Sequence, residues 1–141
     1  MAATPVAPTP TLVKRLVSML YESLLVFGVV FLGFLAPHIA LGILAQTLLP
    51  GSLLLLHLVV VVAAYFLWYW RRSGQTLAMQ TWKIRLESAT GGAPRWGQLV
   101  LRFLLIWPSV FCLGIGIIWA VFDRDRQFLH DRLAGTRLVR V

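Results

Sequence analysis

Residues 12 to 36 and 53 to 70 are nearly unbroken apolar runs. At 1.5 Å per helical residue, about 20 apolar residues cross the ~30 Å hydrocarbon layer of a bilayer, so the runs predict two spanning helices. The first is expected over residues 12 to 35 and the second over 52 to 70. Pro37 and His38 should disrupt the first. Residues 38 to 52, still apolar but carrying Gly42, Gln46, Thr47, Pro50 and Gly51, should form a short interfacial helix or re-entrant piece, then a turn. Trp68, Tyr69 and Trp70, followed by Arg71 and Arg72, mark the exit of the second helix at headgroup level.

From residue 71 to 98 the chain turns polar. Trp82, Ile84 and Leu86 alternate with Lys83, Arg85 and Glu87, the two-residue period of a strand, and Gly91-Gly92 closes it with a turn. Residues 99 to 122 are apolar again but contain Arg102, Pro108, Gly114 and Gly116. They form either a third span or a hairpin broken near Pro108, and the hairpin is preferred because it returns the arginine-rich tail to the side of the basic loop. The tail, residues 123 to 141, reads as a short helix ended by Gly135 and an extended end from Thr136 to Val141 that can pair with residues 82 to 87. The expected architecture is therefore an all-α membrane protein: two spanning helices, a third apolar segment (broken hairpin or span) and a small cytoplasmic β element. Residues 1 to 11, with Pro5, Pro8 and Pro10, read as a disordered tract, and residues 12 to 141 as one membrane domain.

Composition agrees: 59% of the 141 residues are hydrophobic and 13% charged, more apolar than a soluble domain requires. Thirteen Lys and Arg against five Asp and Glu give a net charge of +8, and the basic residues cluster at the ends of apolar segments. The N-terminus, residues 71 to 98 and residues 123 to 141 carry +2, +4 and +2, whereas residues 37 to 52 carry no charge. The positive-inside bias places the three basic segments and both termini in the cytoplasm. The lipid bilayer accounts for the charge, and no recognisable module argues for nucleic acid. The run after Lys14 and Arg15 exceeds the apolar core of a signal peptide and reads as an uncleaved anchor. Cys112 is alone, so no internal disulfide forms.

An ionisable side chain within a spanning helix costs several kcal/mol unless it has a partner or reaches water, which makes Arg15 and Glu22 candidate functional residues. With Ser18 they follow i, i+3, i+7 spacing on one helix face. Arg15 and Glu22 are about 10 Å apart along the axis, too far for an easy ion pair, so Arg102 is the expected partner of Glu22. Two readings stay open: a carboxylate that binds a proton or monovalent cation, tuned by Arg15 and Arg102, or a buried ion pair that fixes helix packing. His57 is a relay candidate or a packing residue, and His38 reads as interfacial. His130 and Asp131 offer too few ligands for a metal, so Asp131 is expected to anchor the tail to the basic loop. No cofactor motif or catalytic template is present, and the chain reads as non-enzymatic.

These motifs resemble the RDD family, membrane proteins named for one arginine and two aspartates. Arg15 opening the first helix and Glu22 two turns later match that spacing; Asp131 in LHDRLAGT matches the last aspartate, with Gly135 closing the motif. The stretch SGQTLAMQTWKIRL resembles the family's Gly-Gln-Thr segment leading into a strand. Glu22 stands where the family usually has Asp, and Ala78 where it often has Gly. The resemblance covers nearly the whole chain after the Pro-rich tract. It implies a multi-pass protein, expected in a bacterial inner membrane, and two functional expectations. One is a small transporter or proton/cation-coupled exchanger, acting as a homo-oligomer or with another membrane protein because so few helices hardly enclose a pathway. The other is a non-catalytic membrane scaffold or assembly partner.

Overall fold

The computed structural model describes residues 8–112, 114–124 and 126–141. Expected disorder in residues 1 to 7 lies outside the described residues. Residues 8 to 11 of the same tract are held in place. The Pro8 carbonyl accepts from the Arg140 amide at 2.9 Å. Thr11 caps the first helix by accepting from the Lys14 amide at 3.4 Å.

That helix begins as α1 (Leu12–Val30), and it does not stop at Pro37. It widens into a π turn at Phe31–Leu35, in which the Ala36 amide reaches back to the Phe31 carbonyl, and continues as α2 (Ala36–Ala45). A proline ring normally collides with the carbonyl four residues earlier; the extra residue in the turn makes room, so Pro37 sits near the start of α2 without ending the helix. The helix expected in residues 38 to 52 is present up to Ala45, but as a continuation of the first helix rather than a separate piece. The chain reverses after Gln46, whose φ is +51°, and enters α3 (Gly51–Arg72).

Two helices are long and apolar enough to cross a membrane: Leu12–Ala45, 34 residues with mean hydropathy 2.4, and Gly51–Arg72, 22 residues with 2.2. Their windows are 0% and 11% buried within the protein, leaving Leu24, Phe27, Leu32, Leu44, Leu55 and Leu56 uncovered for lipid. The protein is a helical membrane protein.

The packed core lies at the end where α3 finishes. A short α4 (Leu77–Thr81) leads into β1 (Ile84–Ser88), which pairs antiparallel with β2 (Thr136–Arg140), Leu86 opposite Leu138. Ile84 and Leu86 point inward, while Glu87 meets Arg137 across the sheet at 3.5 Å. Gly74 makes the approach to β1. Its φ is +69°, its carbonyl accepts from the Leu86 amide at 2.7 Å, and a Cβ there would lie 2.9 Å from the Leu86 carbonyl oxygen.

The third apolar segment forms α5 (Trp96–Phe111) and α6 (Ile115–Phe122), followed by α7 (Leu129–Ala134), which Gly135 closes. Because β2 pairs with β1, the segment must begin and end on the same side, and it is a hairpin rather than a span. The break follows Phe111, just beyond Pro108 rather than at it. Pro108 lies within the last turn of α5 and the helix runs one turn past it, while Gly114, at φ +69°, permits the reversal. α6 folds back so closely that a Cβ on Gly116 would meet the Ser109 Cβ at 2.5 Å.

Candidate functional site

The stripe on α1 faces a half-open cavity of about 280 Å³ between α1, α3, α5 and the cap formed by α4, α7 and the sheet. Arg15, Ser18, Glu22, Ser23, Thr76, Arg102 and His130 contribute its polar lining; aromatic, aliphatic and methionine side chains make the rest. The volume is close to the lower end of the ~300–1,000 Å³ range of small-ligand pockets.

Glu22 does not pair with Arg102. Its carboxylate accepts from the Tyr65 hydroxyl at 2.7 Å and from the Thr76 hydroxyl. Thr76 is held for this role: it caps α4, with the Met79 amide donating to its Oγ1 at 3.3 Å. Among the described residues no Lys, Arg or His lies within ion-pair distance of Glu22.

Arg102 instead pairs with Asp131, correcting both the expected Glu22 partnership and the expected anchoring of Asp131 to the basic loop. Asp131 is 0% exposed and Arg102 5%, so this is a buried pair joining α5 to α7. The Arg102 guanidinium also lies 5.0 Å from the Trp70 ring centroid and 3.4 Å from the Thr136 hydroxyl, drawing in α3 and β2. Beside it, His130 Nε2 is 3.7 Å from the Asp131 carboxylate. Burial, and then the Arg102 charge, hold the His130 imidazole far below its ordinary value, at about 2, so it is neutral.

Arg15 donates from Nε to the Pro10 carbonyl at 3.2 Å and lies 5.4 Å from the Phe128 ring centroid. His57, expected to stand by itself, has a partner: its Nδ1 is 2.8 Å from Nε2 of His38, and both rings meet the edge or face of Phe34 in the π turn. His38 is therefore not merely interfacial. Neither histidine lines the cavity.

Several contributors were not legible as site residues. Tyr65 lies in a run of aromatics and Thr76 in a turn, and the spacing of neither points to Glu22. Gln98 joins three elements: its amide donates to the Gly135 carbonyl at 2.9 Å and to the Ser88 hydroxyl at 3.2 Å. The Gly-Gln-Thr stretch was the one available signal for Thr76.

Residues 9–135, most of the chain and the whole arrangement from Arg15 to Gly135, match the RDD family. The chain belongs to the RDD family. A similar relative of this RDD protein is an uncharacterized protein of Rickettsia prowazekii (strain Madrid E), 29% identical over 104 residues, covering 73% of this chain and 58% of the relative. The chain thus spans under two thirds of that relative's length. No solved structure matches.

Proposed function

We propose that this protein is a small proton- or cation-coupled transporter in which Glu22 is the exchanging group. One observation carries the reading: two carboxylates, Asp131 buried and Glu22 half-buried, have different solutions here. Asp131 and Arg102 neutralise each other in the core, whereas Glu22 rests on two neutral hydroxyls beside a cavity. A carboxylate held by hydroxyl donors can take up a proton or a monovalent cation without first breaking an ion pair. Arg15 and Arg102 contribute positive charge to the same lining, and the His38–His57 pair is a relay candidate further along the α1–α3 contact.

The protein acts as a multi-pass resident of a bacterial inner membrane, with both termini cytoplasmic. It works as a homo-oligomer or with another membrane protein, because two spanning helices enclose no pathway by themselves. The competing scaffold reading draws support from the Arg102–Asp131 lock, which fixes packing without needing any ligand. Purified protein in liposomes with an entrapped pH-sensitive dye separates the two. Pulses of Na⁺, K⁺ or Li⁺ should move protons through wild type and not through Glu22→Gln; vesicles silent to all three cations would leave the scaffold reading.

A further inference from the structure

Arg15 carries a charge on the cavity wall that no described residue balances. It is 3% exposed, and among the described residues no carboxylate lies within ion-pair distance of it; its contacts are the Pro10 carbonyl and the Phe128 ring. A buried cation without a counter-charge is costly, and the cost disappears when an anion occupies the site. Arg102 needs no such anion, because Asp131 holds it. Beyond Arg15 and the polar groups around Glu22 and Arg102 the wall is apolar, with Phe66, Trp70, Phe103 and Trp107 lining one part of the cavity of about 280 Å³.

We propose that the cavity binds an anionic lipid, its phosphate head on Arg15 and its hydrocarbon tail against Phe66, Trp70, Phe103 and Trp107. A free phosphate ion shares the head chemistry but cannot use the apolar wall. This inference concerns the same cavity as the ion-exchange reading but rests on Arg15, and it leaves Glu22 bound by Tyr65 and Thr76.

Native mass spectrometry of the full chain, released from detergent with phosphatidylglycerol, phosphatidylcholine or inorganic phosphate, tests it. Wild type should retain phosphatidylglycerol over phosphatidylcholine and hold no phosphate alone. Arg15→Gln should weaken phosphatidylglycerol retention about ten-fold, the loss of one charge-assisted contact, and Arg15→Lys should recover part of it. Ile106→Trp, which fills the cavity while leaving Arg15 in place, should also release the lipid. Glu22→Gln should retain it, whatever its ion flux. Equal retention of the two lipids, or wild-type retention in Arg15→Gln, overturns the proposal; tight binding of phosphate alone overturns the lipid and leaves a plain anion site. Should Arg15→Gln fail to fold, unchanged retention in Ile106→Trp overturns it equally.

Discussion

A carboxylate removed from water avoids the penalty of isolation by finding a cation or by finding neutral donors, and Asp131 and Glu22 divide along that line. For Asp131, removing either member of its pair leaves a buried charge. Arg102→Met and Asp131→Leu should each cost roughly 3–5 kcal/mol, while the double variant should cost well under their sum. Chemical unfolding in detergent measures this; additive losses would show that the two side chains do not interact. The corresponding Glu22/Arg102 cycle should be nearly additive. His130 supplies a pH signature. Its folded value of about 2 lies below the ordinary value of 6.5, so its stabilising contribution is full above pH 6.5 and declines as pH falls toward 2. By pH 5 the loss is roughly 2 kcal/mol. Thermal scans between pH 7.5 and 5 should show His130→Asn losing less stability than wild type over that interval, and identical slopes would place a charged His130 in the folded state.

At the level of elements, the parts legible in the sequence were those set by local pattern. The period of two over residues 82 to 87 marked β1, though it begins at Ile84, and Gly135 marked the end of α7. The features that were missed depend on how helices are rotated and stacked. Glu22 meets partners 43 and 54 residues away, and His38 meets one 19 residues away, distances over which no repeat in the sequence carries information. Pro37 was misleading for a different reason, because the π turn absorbs the clash that would end an ordinary α-helix. The hairpin of α5 and α6 offers a direct check of packing. Gly116→Val drives side-chain atoms into Ser109 and should cost roughly 1–3 kcal/mol, with partial recovery in Gly116→Val/Ser109→Gly. Thermal unfolding unaffected by Gly116→Val would mean that the two helices do not close on each other.

The whole molecule is two lipid-facing helices joined at one end to a small, well-packed cap, with the pairing of β1 and β2 and the Arg140–Pro8 bond keeping both described ends of the chain on one side. In the orientation proposed above, from the bias of basic residues toward it, that side is the cytoplasm. With Cys112 replaced by Ser, single cysteines at the exposed positions Thr47, Thr90 and Arg140 should report it in intact cells: an impermeant thiol reagent should label only position 47. Ready labelling at 90 or 140 reverses the orientation. The cap then has a mechanical role, presenting Thr76 to Glu22 while the Arg102–Asp131 pair holds α5 against α7. Proton flux per folded molecule in proteoliposomes, compared between Glu22→Gln and Asp131→Asn, tests this division most directly. Glu22→Gln should fold in full amount and carry no flux, whereas Asp131→Asn should lose folded protein but retain wild-type flux in each molecule that folds. Undiminished flux in Glu22→Gln would contradict the account.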